Sequence, residues 1–317
     1  MEHYRIMKTL ITILLSVPLL LSAGTVSETV DTISYKQSNG ETVTIHKNPK
    51  RTVVLHISLT GMWYVAGGKA IARAHAPRLQ VLPDAARNLT DVGDYYNPDM
   101  EKILALKPDL VLLHSRRSKH WEIQKLLRSA GIESVCVDYA NYDDFLTLFD
   151  FFTRVNGSSA ETKSVREKIT SQVKAICMET AKCKPFTFIS MIVSANGFIS
   201  ETQRANTANM LMRLGGRNLV PPSGNLRVTF SMEQLLMSDP DVIFLLCAGS
   251  NNKLSSRVRA ILDKRPDWRN LKAVRNNRVY VLDAESYLYL PGKRYPEAFL
   301  GLAKFLYPEK DWEKIVK

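Results

Sequence analysis

Residues 100–113 read MEKILALKPDLVLL, and residues 232–245 read MEQLLMSDPDVIFL. Aligned without a gap, the two segments share Met, Glu, Leu, Pro, Asp and Leu in place. Each segment predicts a short helix, a Pro-Asp turn and a buried strand. Because the pattern occurs twice at long spacing, it indicates two related lobes and not a solenoid.

Short apolar strands alternate with helical stretches on either side of the repeat. Strands are predicted at residues 52–55, 110–113 and 134–137 in the first half, and at 187–193, 242–246 and 279–282 in the second. Continuous apolar strands that alternate with helices are typical of βα units on a parallel sheet. A hairpin that turns at Asn39-Gly40 is predicted to precede the first of these strands.

One long helix is predicted between the two halves. Residues 158–161, SSAE, have the spacing of a capping box, and no helix breaker follows before Pro185. The apolar stripe within this stretch consists of Val165, Ile169, Val173 and Ile176. A helix from about residue 159 to residue 184 would be about 39 Å long, which suits a rigid connection between two lobes. A surface helix of one large domain is the alternative.

The predicted fold class is therefore α/β: two lobes with mainly parallel sheets flanked by helices, connected by a single long α-helix. Arg5 and Lys8 precede an apolar run at residues 10–21 and the small residues 22–24, which predicts a secretory signal peptide; a retained membrane anchor is the alternative. No cysteine follows the small residues, so the bacterial lipoprotein pattern is missing and the periplasm is the expected location. The predicted division is 1–23 signal peptide, 24–157 N-terminal lobe, 158–184 connecting helix and 185–317 C-terminal lobe.

The formal net charge of +12 suits an anionic ligand or an anionic membrane surface. Nucleic acid is not expected as a partner, because the chain has no dense Lys/Arg run and no basic helix. The four cysteines are Cys136, Cys177, Cys183 and Cys247. Disulfides are permitted in an exported protein, but Cys136 and Cys247 lie in apolar strand-like segments, where buried free thiols are common, and free thiols are the expectation. Because no CxxC spacing occurs, a zinc or redox site is not expected. The pairing state of Cys177 and Cys183 stays open.

In its motifs the sequence resembles the periplasmic substrate-binding proteins of the ABC importers for iron siderophores, haem and vitamin B12. Four segments carry the resemblance in the right order over nearly the whole chain: residues 48–55, 100–111, 214–218 and 230–235. The resemblance implies two α/β lobes joined by one long helix. It also implies that the chain needs no cofactor of its own, since nucleotide hydrolysis takes place in another subunit of the importer.

Permease docking is implied for two glutamates at matching positions of the repeat. In the resembled family, one surface glutamate on each lobe pairs with arginines of the membrane permease, and Glu101 and Glu233 match those positions. The expected partners are thus the permease subunits and a small metal chelate, with the protein itself a monomer. Two ordinary solvated glutamates are the alternative.

Ligand contacts are expected in the loops that follow the strands, because ligands of parallel sheets lie beyond the carboxyl ends of the strands. Arginines from both halves with interleaved tyrosines suit a bulky, partly aromatic anion. The tyrosines in these loops include Tyr139, Tyr142 and Tyr287, and residues 199–204 are expected to form a turn before a helix. The selected ligand-binding residues are Arg116, Arg204, Arg294, Tyr289, His56 and Trp63.

A ferric siderophore is the expected ligand; haem, cobalamin or an oxyanion such as molybdate is the alternative. In haem binders of the family a Tyr or a His ligates iron, a role open to His56 or Tyr289, but no protein-held metal site is predicted. An enzyme is not expected, because the sequence contains no GxSxG, HExxH, GxxxxGK[ST] or GxGxxG motif.

Overall fold

Three sheets and one long helix organise the part of the chain that the computed structural model describes, residues 24–76, 82–194, 197–247, 262, 264 and 266–315. The predicted signal peptide, residues 1–23, lies outside the described residues. The strands are β1 (Gly24–Glu28), β2 (Thr32–Lys36), β3 (Thr42–His46), β4 (Thr52–Val54), β5 (Ala72–Arg73), β6 (Thr90–Asp91), β7 (Leu110–His114), β8 (Glu133–Val137), β9 (Phe186–Ser194), β10 (Gly197–Glu201), β11 (Gly216–Asn218), β12 (Arg227–Thr229), β13 (Val242–Cys247) and β14 (Val279–Leu282).

The α-helices are α1 (Ile57–Val65), α2 (Asp84–Arg87), α3 (Met100–Ala105), α4 (Ser118–Ser129), α5 (Tyr142–Val155), α6 (Ala160–Thr180), α7 (Asn206–Arg213), α8 (Met232–Ser238), α9 (Lys272–Arg275), α10 (Tyr295–Leu306) and α11 (Trp312–Ile315). Short 3-10 turns cover Pro266–Asn270 and Gly292–Arg294, and a π-helical turn covers Ala284–Leu288. None of these helices is both long and apolar enough to cross a bilayer.

The N-terminal lobe contains a parallel sheet with the strand order β6-β5-β4-β7-β8. All residues of β4 and β7 are buried, as expected for strands that are covered on both faces. The predicted hairpin forms β2 and β3 of a separate antiparallel sheet, with β1 as its third strand. Because the five strands run in one direction, the loops at their carboxyl ends meet at one edge of the lobe.

The C-terminal lobe has a mixed sheet of order β12-β10-β9-β13-β14, in which β11 also pairs with β9. Strand β13 is parallel to both β9 and β14, whereas β10 is antiparallel to its two neighbours. The predicted turn at residues 199–204 is therefore wrong in its first half, since Ile199 to Glu201 belong to β10. In the sequence, the Asn196-Gly197 dipeptide is the hairpin signal that would have located this strand.

The predicted connecting helix is α6, 21 residues and about 32 Å long. Its N-cap is Ser159, whose side chain accepts from the Thr162 N–H, while the Thr162 hydroxyl accepts from the Ser159 N–H. The cap therefore lies one residue later than the predicted one at Ser158, and it uses Thr162 in place of Glu161. The helix ends four residues before residue 184. Strands β4–β8 all precede α6 and β9–β14 all follow it, which confirms the two-lobed α/β class.

The repeat extends to backbone conformation and to contacts. Lys107 and Asp239, at matching positions, both adopt positive φ angles, of 44° and 37°. The carboxylate of Asp109 accepts from the Lys50 and Arg51 N–H groups just before β4. At the matching position, the carboxylate of Asp241 accepts from the Thr187 N–H in β9. Each Pro-Asp turn thus connects its own strand to the neighbouring strand of the same lobe.

A continuous hydrophobic core joins both lobes to the connecting helix. Val54 of the first sheet, Ile169 and Ile176 of α6, and Phe244 of the second sheet belong to the same buried cluster. Aromatic contacts between α5 and α10 fill its centre. The ring pairs are Tyr142–Tyr295 at 4.9 Å, Phe145–Tyr295 at 5.0 Å and Tyr142–Phe299 at 5.2 Å. This packing holds the two lobes, and the loops they carry, in one relative arrangement.

The cysteine expectation is confirmed for the described side chains. Cys136, Cys177 and Cys183 are free thiols. Cys177 lies within α6 and Cys183 beyond its end, where the Cys183 thiol donates to the Glu179 carbonyl. The side chain of Cys247 lies outside the described part of the chain.

Candidate functional site

Polar and aromatic side chains collect at the carboxyl-terminal edge of the parallel sheet. His56 follows β4, the Tyr95-Tyr96 pair follows β6, residues 115–117 follow β7 and Asp138 follows β8. In sheets of this kind the crevice beyond the strand ends is where ligands bind. We define the cleft cluster as His56, Tyr95, Tyr96, His114, Arg116, Arg117, Asp138 and Arg204.

Arginines from the two lobes meet at one carboxylate. The Nε and Nη2 groups of Arg116 donate to the two oxygens of Asp138 at 2.6 and 3.0 Å, a bidentate fork. Arg204 follows β10 of the other lobe, and its Nη2 lies 3.6 Å from Asp138 Oδ2. The Asp138 side chain is 16% exposed and that of Arg204 43%. Two of the three selected arginines, Arg116 and Arg204, are therefore brought together at Asp138.

Arg117 stacks on two tyrosines. Its guanidinium carbon lies 5.2 Å from the centre of the Tyr95 ring and 4.7 Å from that of Tyr96. The Arg117 Nε–H is buried and has no acceptor among the described residues. Burial, helped by a hydrogen bond with Tyr96, raises the pKa of Tyr95 to about 12, so its phenol is protonated at neutral pH. The result is a cationic platform with an unused donor.

Hydrogen bonds orient the histidines of this edge. His120 of α4 accepts from the His114 N–H at its Nδ1 (2.8 Å) and donates from Nε2 to the Tyr95 carbonyl (2.7 Å). His114 in turn accepts from the Arg116 N–H at its Nδ1 (3.2 Å). His56 lies with its ring 4.5 Å from that of His114, and its buried Nδ1 has no partner among the described residues. These contacts tie the loops after β4, β6 and β7 to one another.

The imidazoles of the cluster are neutral at physiological pH. Burial lowers the pKa of His114 to about 4; Arg116 and Arg117 add to this effect and Asp138 opposes it. Burial also lowers the pKa of His56 far below its usual range, and the positive charge of Arg117 acts in the same direction. The positive charge of the cluster therefore comes from its arginines. No group of three His, Cys, Asp or Glu side chains in the described ranges is arranged to hold a metal ion.

Acidification should destabilise the protein through His114. Its folded-state pKa lies below that of an unfolded histidine, so the unfolded state binds more protons, and stability that is present above pH 6.5 is lost toward pH 4. We expect wild-type protein to lose about 3 kcal/mol of unfolding free energy over this range relative to His114→Gln. Urea unfolding at several pH values measures the difference. Parallel pH profiles of the two proteins would contradict the expectation.

The pKa of Asp144, a second carboxylate at this edge, is shifted upward, whereas that of His114 is shifted downward. Burial and the nearby Asp138 raise the pKa of Asp144 to about 6. Asp144 is present in both proteins of the His114 comparison, so its own pH dependence cancels there.

Asp138, Asp144 and Arg204 also line a cavity of about 630 Å³, together with the β2–β3 turn and the start of α5. This volume is in the range of small-molecule sites.

Three predicted residues lie outside the cluster or away from solvent. Trp63 is fully buried, with its Nε1–H donating to the Lys69 carbonyl at 2.9 Å and its ring against Gly68. The prediction that Trp63 contacts a ligand is wrong, because the residue has no accessible surface. Arg294 forms an ion pair with Glu285 at 3.2 Å, and Tyr289 is 46% exposed at the end of the π-helical turn.

The expected tyrosine lining also needs correction. Tyr139, Tyr142 and Tyr287 are buried, and their rings belong to the core that joins the lobes. The tyrosines of the cleft cluster are Tyr95 and Tyr96, which were not among the residues predicted to bind a ligand. Strand β6 before them has only two residues, too short for a periodic signal. The adjacent Tyr-Tyr pair between Gly93 and Pro98 was the available clue.

The two matched glutamates are exposed in the first turns of α3 and α8. Asp99 caps α3 by accepting from the Lys102 N–H, and Ser231 caps α8 in a capping box with Gln234. Neither Glu101 nor Glu233 forms an ion pair with any described Lys, Arg or His. Both carboxylates are therefore open to an external cation.

Comparisons with known proteins agree with this architecture. The model of the family described as "Periplasmic binding protein" matches residues 53–286. The Fe(3+)-citrate-binding protein YfmC of Bacillus subtilis (strain 168) is 26% identical over 282 residues, covering 86% of this chain and 84% of YfmC. Among solved structures, the periplasmic vitamin B12 binding protein BtuF of Vibrio cholerae superposes with a TM-score of 0.67 at 22% identity, covering 83% of this chain and 99% of BtuF.

The structure of Staphylococcus aureus IsdE complexed with heme is similar to the same extent, with a TM-score of 0.67, 20% identity and coverage of 81% of this chain and 98% of IsdE. The family model spans well over half of the chain, and the two-lobed fold is shared with these structures. The chain therefore belongs to the periplasmic binding protein family of the ABC importers for iron siderophores, haem and vitamin B12.

Proposed function

We propose that this protein captures an anionic ferric chelate, of the carboxylate or catecholate siderophore type, and delivers it to the permease of an ABC importer. The observation that carries the proposal is the convergence of Arg116 and Arg204, from opposite lobes, on the single carboxylate of Asp138. Two guanidinium groups held together in this way match the oxygens that surround a chelated ferric ion. The similarity to YfmC, whose name states Fe(3+)-citrate binding, supports the same ligand class.

The remaining cluster residues complement such a ligand. The platform of Arg117, Tyr95 and Tyr96 has a flat face for an aromatic or chelating arm. Because the histidines are neutral, they add hydrogen-bonding capacity without fixed charge. The cavity of about 630 Å³ beside Asp138 and Arg204 provides room for part of a bulky chelate.

Haem is the second candidate, favoured by one observation. His56 is neutral and its Nδ1 has no partner among the described residues, which is the protonation state that ligation of haem iron requires. That nitrogen is buried, however, so the ring would have to turn before it could reach an iron atom. The IsdE structure in complex with heme makes haem a necessary part of any ligand test.

Membership of this family also supports a proposal about the location of the protein and its docking to the permease. We propose that the protein is exported, acts in the periplasm as a monomer, and seats on the permease through Glu101 and Glu233. It binds its ligand without transforming it. Electrostatic pairing of two separated carboxylates would set the docking register and speed the encounter.

Ligand identity is tested by native mass spectrometry and calorimetry of the mature protein. The panel comprises ferric citrate, a ferric catecholate, haem, cyanocobalamin and molybdate. We expect one-to-one binding of a ferric chelate, with Kd in the micromolar range or below, corresponding to about 8 kcal/mol or more. Binding of haem alone, with a change in its absorption spectrum, would support the second candidate. Failure to bind any ferric chelate would refute the proposal.

A further inference from the structure

We propose that Asp138 is an internal competitor of the ligand, and that it makes the site selective for polyanions over monoanions and neutral molecules. In the structure its carboxylate occupies the place that a ligand carboxylate would take between Arg116 and Arg204. The inference rests on the proposed function for its ligand class. It adds a residue that opposes binding.

The geometry engages Asp138 with both arginines. The Arg116 fork uses both carboxylate oxygens, at 2.6 and 3.0 Å, and Arg204 approaches the Oδ2 atom that already accepts from Arg116 Nη2. Arg204 is held from its own side, since its Nη1 donates to the Gly224 carbonyl at 2.9 Å. Its main-chain carbonyl also accepts from Asn141 Nδ2, three residues after Asp138, at 3.1 Å. The two arginines are therefore ordered around an acceptor that the protein itself supplies.

Selectivity follows from the difference between an internal and an external acceptor. A side chain next to its partner acts at a high effective concentration, so a monocarboxylate that replaces Asp138 exchanges one ion pair for another and gains little. A ligand with several anionic oxygens reaches Arg116 and Arg204 separately and gains contacts that a single carboxylate lacks. A neutral molecule has no charge with which to compete.

The surroundings of Asp138 give the displaced carboxylate a place to go. Asp138 lines the cavity of about 630 Å³, so it can leave the arginines without being buried unpaired. Asp144 lines the same cavity, and the main-chain N–H of Ala140 donates to its carboxylate at 2.8 Å. A negative charge released there would be balanced by proton uptake on Asp144, the carboxyl with a pKa raised to about 6.

The alternative role for Asp138 is to orient Arg116 for the ligand, and in that case removal of Asp138 would weaken binding. The test compares wild type with Asp138→Asn by calorimetry against ferric citrate, metal-free citrate and acetate. We expect Asp138→Asn to bind metal-free citrate about tenfold more tightly than wild type does, and to bind acetate measurably. The ratio of citrate affinity to acetate affinity should therefore be smaller in the variant than in wild type. The second variant Asp138→Ser removes the same charge with a smaller side chain and covers the case in which the first does not fold.

The matched control is Asp150→Asn. Asp150 accepts an equally bidentate fork from Arg166, at 2.8 and 2.9 Å, on the outer face of α5 and α6. Its removal should leave all anion affinities within about twofold, because neither residue belongs to the cleft cluster. Weaker or unchanged citrate binding in both Asp138 variants would overturn the inference. If wild type binds no ferric chelate, the proposed function fails, while the citrate and acetate comparison still decides the role of Asp138.

Discussion

Replacing Glu101 and Glu233 together by lysine is expected to abolish uptake and to leave ligand affinity in solution unchanged. The two carboxylates are exposed, occupy matching positions in the first turns of α3 and α8, and have no ion-pair partner among the described residues. An exposed ion pair contributes only about 0–1 kcal/mol. Reversal of both charges does more than remove two such pairs, because it places like charges opposite the permease arginines implied by the family.

Growth on the chelate as sole iron source, and transport into permease-containing vesicles, measure the docking effect. A matched control is the double variant Glu161→Lys and Glu313→Lys. These glutamates are also exposed in the first turns of helices, α6 and α11, but they lie outside the repeat. The control should transport at the wild-type rate. Normal transport by the Glu101/Glu233 variant, or equal loss in the control, would show that the matched pair does not dock the permease.

The second large effect is the loss of ligand affinity that we expect when either Arg116 or Arg204 is replaced. We expect Arg116→Ala and Arg204→Ala each to weaken binding of the ferric chelate by about 2 kcal/mol, roughly 30-fold in Kd. The reason is that each guanidinium would supply charge-assisted hydrogen bonds from a different lobe, and Arg117, which is stacked on Tyr95 and Tyr96, does not contact Asp138. Arg116→Lys should restore only part of the affinity, since an ammonium group lacks the planar fork.

Calorimetry on each variant measures these losses, and thermal unfolding checks that the fold survives. Arg116→Ala also leaves Asp138, which is 16% exposed, with a weaker partner, so a modest fall in Tm is expected for this variant alone. Arg166→Ala removes the comparable fork on Asp150 and should not alter affinity. Wild-type affinity in Arg204→Ala would place the ligand in the N-terminal lobe only and refute binding between the lobes.

Local sequence signals located the central strands of both lobes. Continuous apolar runs located β4, β7, β9, β13 and β14, and the Pro-Asp turns located the helix–strand units before β7 and β13. These signals work because a buried strand of a parallel sheet must be apolar on both faces, whatever surrounds it. Strands β5 and β6, with two residues each, carry no such pattern and were not predicted.

It was harder to predict which side chains after the strand ends enter the core and which face the cleft. Trp63, Tyr142 and Tyr287 follow strands in the chain, but the core between α5, α6 and α10 buries them because it is large enough to remove whole aromatic rings from water. The sequence selected Arg116 and Arg204 as ligand-binding residues, and the structure brings them to the same carboxylate; their role in binding stays a prediction. Arg117 was passed over, since adjacent arginines are indistinguishable until their neighbours are known.

The sequence by itself determined the α/β class, the repeated helix–turn–strand units, the long connecting helix and the family. Each of these depends on residues close together in the chain, or on motifs recognisable one at a time. Only the tertiary structure decided that Arg116 and Arg204 share Asp138 and that Arg117 stacks on Tyr95 and Tyr96. Those contacts depend on how the two sheets are placed, and the aromatic packing between α5 and α10 sets that placement across more than a hundred residues of chain.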